Sequence, residues 1–95
     1  MNISWSPEAR TDLREMLLNL TDKNPYAAKA LYERIETAAT ELIENPYIGR
    51  PGRVPGTREL VITNTSYILP YQIRQNRLEI LRVYHGARKW PKHFD

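Results

Sequence analysis

Ninety-five residues are enough for one hydrophobic core and too few for two, since a chain of this length buries only roughly 60 to 65% of its unfolded surface. One domain over residues 1–95 is therefore expected. No run approaches the roughly 20 apolar residues of a membrane helix, and a sequence without cysteine excludes disulfide frameworks, thiolate catalysis and cysteine-ligated zinc.

The net charge of +3 is unevenly divided: residues 1–48 carry five Lys/Arg against eight Asp/Glu, and residues 49–95 carry nine against three. A basic carboxyl half fits an anionic partner, such as a phosphate backbone or an acidic protein segment, although solvated side chains would give the same count. Met1 to Trp5 runs directly into a helix start with no leader-like succession, which together with the lack of cysteine fits a reducing cytoplasm.

In chain order, Ser6-Pro7-Glu8 reads as the first helix start, because a serine side chain can accept an orphan N–H and proline at the first helical position loses no bond. Ala9, Leu13, Met16, Leu17 and Leu20 then draw one apolar stripe, with Arg10, Asp12, Arg14 and Glu15 facing away, which predicts a helix over residues 7–20. Asn24-Pro25 repeats the cap chemistry and opens a second helix over residues 25–44. Its buried side is Ala28, Leu31, Ile35, Ala38, Ala39, Leu42 and Ile43, and Asn45-Pro46 ends it. So short a connection makes the two helices antiparallel neighbours.

From Tyr47 to Thr57 three glycines and two prolines predict the principal loop. Three β-rich runs follow, at Glu59 to Thr63, Tyr67 to Ile73 and Leu78 to His85. Asn64-Thr65 and Gln75-Asn76 stand at the turns, and Asn2 to Trp5 is a candidate fourth strand. The expected fold class is α+β: a two-helix antiparallel hairpin packed on an antiparallel sheet of three or four strands. Pro70 cannot donate to a ladder and belongs at a bulge or an edge-facing position. Read as one strand, Leu78 to His85 carries apolar groups on both faces, so the face away from the helices is either partly open or completed by a partner segment.

The richest cluster for chemistry is Leu81-Arg82-Val83-Tyr84-His85-Gly86-Ala87-Arg88-Lys89-Trp90-Pro91, where a titratable imidazole stands among fixed cations. Arginine offers a planar fork to phosphate or carboxylate, aromatic rings can stack on bases, and histidine titrates near neutrality. Tyr84 and Trp90 read equally as packing residues, and His85 as a hydrogen-bonded structural one. A second cluster, Gly49 to Leu60, places Arg50, Arg53 and Arg58 on or beside a glycine-rich loop. It lacks the lysine-hydroxyl ending and following helix of a nucleotide-binding phosphate loop, and Arg58 beside Glu59 reads as a local ion pair. His85 and His93 have poor metal spacing, so no metal and no cofactor are expected.

These residues resemble the RelE/ParE toxins of bacterial toxin–antitoxin pairs. The resemblance runs through Trp5-Ser6-Pro7-Glu8-Ala9, Asp12-Leu13, Asn24-Pro25, Ala27-Ala28 and Leu42 to Pro46. It continues through Gly49-Arg50, Gly56-Thr57-Arg58-Glu59-Leu60, Tyr67 to Tyr71 and Ile80 to Pro91. It implies a cognate antitoxin that wraps and blocks the toxin in a hetero-oligomer. It also places toxicity-linked residues at the last strand and tail, where Arg82, Tyr84, Arg88, Lys89 and Trp90, with Arg58, would bind the target. RelE-like members cleave mRNA on the ribosome and carry an arginine directly after the tyrosine matching Tyr67; that position here is Ile68, and Glu59-Leu60-Val61-Ile62 stands where they carry lysines. The resemblance is closer to ParE, whose members poison DNA gyrase. The alternative is a ribosome-dependent endoribonuclease with His85, Arg82 and Arg88 as catalytic residues.

Overall fold

The computed structural model describes residues 1–94. In chain order the elements are β1 (Asn2–Trp5), α1 (Pro7–Lys23), α2 (Pro25–Glu44), β2 (Arg50–Pro51), β3 (Arg58–Val61), β4 (Tyr67–Arg74), β5 (Arg77–Ile80) and β6 (Tyr84–His85). The strands form one sheet in the order β1-β5-β4-β3-β2, and β6 continues beside β4.

Both helices start where the cap chemistry predicts. Ser6 Oγ accepts from Ala9 N–H at 2.9 Å, and Asn24 Oδ1 accepts from Ala27 N–H at 3.1 Å. Asn24 also closes α1, its N–H donating to Leu20 O at 2.7 Å. One residue thus ends one helix and begins the next, and α1 runs three residues beyond its apolar stripe, to Lys23.

The core lies between this hairpin and one face of the sheet: Ala9, Leu31, Ile35, Ala38 and Leu42 meet Ile62, Leu69, Tyr71, Leu78, Ile80 and Val83, with Leu13, Met16 and Leu20 packed alongside. Ile35 is 1% exposed whereas Leu13 is half-buried, so the two sites should differ in what truncation costs. Ile35→Ala is expected to lower stability by about 2 to 4 kcal/mol through lost transfer energy and a residual cavity, and Leu13→Ala by less. Urea denaturation of the two variants checks the order; equal losses below about 0.5 kcal/mol would remove the assigned helix–sheet core.

The sheet is mixed. β3, β4 and β5 form the predicted antiparallel meander, with Gln75 and Asn76 at φ 49° and 63° in the two-residue turn between Arg74 and Arg77. Positive φ at both central residues is the hairpin geometry whose twist matches that of the strands. β1, however, joins as a parallel strand, Asn2 opposite Arg77 through Trp5 opposite Ile80. The two strands run toward the same end, where Ser6 N–H donates to Ile80 O at 2.9 Å.

The run from Leu78 to His85 is two strands rather than one. β5 and β4 pair with Ile80 opposite Tyr71, yet β6 pairs with Tyr84 opposite Ile68, so one extra residue is accommodated over Leu81–Val83. Pro70 sits at this bulge. Leu81 N–H donates to Pro70 O at 2.9 Å, the reciprocal donor is missing from the proline, and Leu81 O is met instead by the Ser6 hydroxyl at 2.7 Å. The side chain that caps α1 therefore also repairs the ladder.

The sheet face away from the helices is partly covered and partly open, with Val61 on it 46% exposed. Val54, Glu59, Ile68, Pro70, Leu81 and Tyr84 are all buried outside the helix-side core. The loop reaches this face through Arg53, which bonds Glu59, and the carboxyl tail through Trp90 and Phe94, which meet the ring of Tyr84.

Candidate functional site

The candidate site is built on β6 and the tail that follows it. Tyr84 is 2% exposed and gathers the cluster: the Arg88 guanidinium lies 4.1 Å from its ring centroid, that of Arg82 4.9 Å, and the Trp90 ring meets it edge-on at 5.1 Å. Lys89 is exposed beside them. Four of the sequence-predicted residues, Arg82, Tyr84, Arg88 and Trp90, thus come together around the Tyr84 ring.

His85 does not join them. Successive strand residues point to opposite faces, and His85 pairs with Tyr67, whose ring packs against the helix-side core and meets the imidazole edge-on at 5.6 Å. The exposed imidazole accepts from Ala87 N–H through Nδ1 at 3.1 Å, which assigns the neutral ring's proton to Nε2.

Arg82 is tied to a partner that the helix pattern alone assigned to solvent. Its Nε donates to Asp12 Oδ2 at 2.7 Å and its Nη2 to Asp12 Oδ1 at 2.8 Å, while Val83 N–H donates to the same carboxylate at 3.0 Å. The paired hydrogen bonds to Asp12, against some loss of hydration, hold the Arg82 guanidinium above its ordinary pKa. Asp12 thus fastens α1 to the bulge, and the Arg82 fork is already engaged.

The loop arginines are engaged too, though not as a pairing of Arg58 with its neighbour Glu59. Glu59, 2% exposed, instead accepts from Arg50 Nη2 at 3.0 Å, from Arg53 Nε at 3.0 Å and from Arg53 N–H at 2.8 Å. Arg58 points to the opposite sheet face, where its Nε donates to Gly49 O at 2.9 Å and its Nη2 to Tyr47 O at 3.1 Å. The loop start is fixed again by Tyr71, whose hydroxyl donates to Pro46 O at 2.8 Å and accepts from Gly49 N–H at 2.9 Å. A Cβ on Gly49 would stand 2.6 Å from that oxygen, so residue 49 has no room for a side chain.

Burial raises the Glu59 pKa, but the hydrogen bonds from Arg53 and Arg50 outweigh it and hold the carboxyl below its ordinary 4.5. A carboxylate with a depressed folded-state pKa stabilises the fold above the unfolded value, and this contribution fades as pH falls through the folded one. Stability should accordingly decline below about pH 4.5. Glu59→Gln should flatten that acid limb while lowering the neutral plateau, as thermal unfolding scanned against pH will show.

A helical hairpin on a mixed sheet, with a basic aromatic tail laid over the outer face, is a fold shared with small bacterial toxins. The family model described as the ParE toxin of the type II toxin–antitoxin system parDE matches residues 3–90. The chain belongs to this ParE toxin family, within the RelE/ParE superfamily.

Y4kP of Sinorhizobium fredii, a protein named as a toxin, is 41% identical over 90 residues covering 95% of this chain and 93% of that one. Toxin RelE1 of Caulobacter vibrioides is 30% identical over 86 residues, covering 88% and 91%. Among solved structures, the chromosomal ParDE system from P. aeruginosa superposes with a TM-score of 0.79 at 25% identity, covering 90% of this chain and 95% of that one. The toxin–antitoxin complex RelBE2 from Mycobacterium tuberculosis gives 0.60 at 27% identity, with 92% of each chain covered. The chain is thus a toxin of a type II toxin–antitoxin system, for which membership implies an antitoxin partner.

Proposed function

We propose that this toxin arrests growth in the cytoplasm by binding DNA gyrase through the tail surface of Arg88, Lys89 and Trp90, gathered on the buried ring of Tyr84, and that its cognate antitoxin relieves the arrest. The observation that carries this reading is the separation of His85 from the basic cluster. A ribonuclease needs a proton-transferring group and a cationic phosphate clamp around one scissile bond. Here His85 lies on the helix side of the sheet, while Arg82 is spent on Asp12, Arg50 and Arg53 on Glu59, and Arg58 on two carbonyls. Aromatic rings and an arginine at the centre of a surface are instead the composition of a protein–protein hot spot.

Purified gyrase supercoiling, run beside cleavage of mRNA on programmed ribosomes, tests the reading. The toxin is expected to block supercoiling and leave the message intact. Intact supercoiling with cut, ribosome-bound mRNA would instead establish the ribonuclease alternative.

A further inference from the structure

Trp90 is held unusually for a residue in a tail without regular structure. The tail backbone is tied to the body at Gly86, whose N–H donates to Ser66 O at 2.7 Å, and Arg88 N–H closes a turn onto His85 O at 3.1 Å. Trp90 and Phe94 further along meet the body through their rings. The Trp90 indole lies with the Arg53 guanidinium 3.8 Å from its centroid on one side and the Tyr84 ring at 5.1 Å and 77° on another. Its Nε1 is buried and finds no acceptor among the described residues. Stacking, and not hydrogen bonding of the indole, therefore sets where this ring stands.

The stack needs a flat, fixed cation. Arg53 becomes one because Glu59 takes both its Nε and its Nη2, at 3.0 and 3.2 Å, which fixes the plane of the guanidinium and leaves its face to the indole. Glu59 is itself fixed by burial, by Arg50 and by the Arg53 backbone N–H. The arrangement is a relay of geometry: a buried carboxylate orients a guanidinium, and the guanidinium orients an indole 37 residues further along the chain.

We propose that Glu59 and Arg53 are positioning residues for the effector tail, Glu59 setting the plane of Arg53 and Arg53 setting the place of Trp90 on the target-binding surface. The proposal rests on the reading that this surface carries toxicity. On this proposal a loop arginine 37 residues from Trp90 bears on activity without touching a target. It also separates Arg53 from a general contributor of positive charge, since lysine keeps the charge and loses the plane.

In a Trp5→Phe background Trp90 is the sole indole, and its emission and acrylamide quenching report its position directly. Arg53→Ala and Glu59→Gln are expected to shift Trp90 emission to the red and increase its quenching. They should also raise the toxin level needed for growth arrest by about tenfold, less than the loss expected from removing a hot-spot side chain outright. Arg53→Lys should move both readouts in the same direction, which a role for charge alone would not produce.

Arg53 is exposed enough that its variants should fold, and the Glu59→Gln result is read only alongside theirs. An unmoved Trp90 in Arg53→Ala would overturn the proposal, as would a freed Trp90 with undiminished growth arrest. Growth arrest is independent of which target is hit. A wild type that spares gyrase while arrest still follows Trp90 would therefore overturn the gyrase reading and leave the positioning intact.

Discussion

Asp12→Ala is expected to lower the unfolding free energy by about 2 to 3 kcal/mol. The substitution does more than remove one bond. It strands the Arg82 guanidinium, whose side chain is 27% exposed, and leaves Val83 N–H without the acceptor that supports the bulge. The pair is not fully buried, so the cost falls below the 3 to 5 kcal/mol typical of breaking a deeply buried ion pair.

For a domain of this size the loss corresponds to a fall in Tm of roughly 10 to 20 °C. Asp12→Asn, which keeps an acceptor, should lose about half as much. In a double-mutant cycle with Arg82→Ala the combined loss should be at least about 1 kcal/mol smaller than the sum of the single losses. Additive losses would mean that the two side chains do not act on each other in solution.

The second large effect concerns inhibition. If gyrase is the target, as proposed, Arg88→Ala and Trp90→Ala should each weaken its inhibition by about 2 kcal/mol, or roughly 30-fold, because they remove a cation and an indole from the cluster around Tyr84. His85→Ala should change it by less than about threefold, since the ring lies across the sheet and no proton transfer is required. Titration of supercoiling activity with each variant at matched folded concentration gives the comparison. A loss of roughly 100-fold or more at His85, with Arg88→Ala nearly silent, is the pattern of a general acid or base and would reverse the assignment of roles.

Both effects depend on contacts that the sequence reveals only in part. The helices were legible because their determinants are local: Ser6-Pro7 and Asn24-Pro25 each place an acceptor and a proline within one turn. The meander was legible from alternation and turn residues. The bulge was not, because one inserted residue between Leu81 and Val83 leaves a β-rich string that still reads as a continuous strand; Pro70 was its only trace. Nor was the parallel pairing of β1, which depends on where the helical hairpin returns the chain.

The tail residues Arg82, Tyr84, Arg88 and Trp90 were legible as a cluster, but what each arginine does was not. Helical periodicity identifies the face of α1 that meets the core and is silent on what the flank carrying Asp12 meets, so the partner of Arg82, 70 residues away, could not be inferred. Adjacency misled at Arg58 and Glu59, because neighbours in a strand face opposite ways.

The Ser6 hydroxyl that stands in for the missing donor of Pro70 has a consequence for how this protein comes into being. It joins the sixth residue to the eighty-first, and β1 beside it can pair only with residues 77–80. The edge strand and the second bond of the Ser6 side chain are therefore completed by residues 75 positions further along the chain. The helical hairpin can form early from local contacts, but the sheet cannot close until residues 77–81 have returned to β1 and Ser6. Long sequence separation between contacting residues slows folding through the entropy of closing the intervening loop. Closure of the sheet beneath the tail is thereby tied to this long-range pairing, whatever the order in which the helices form.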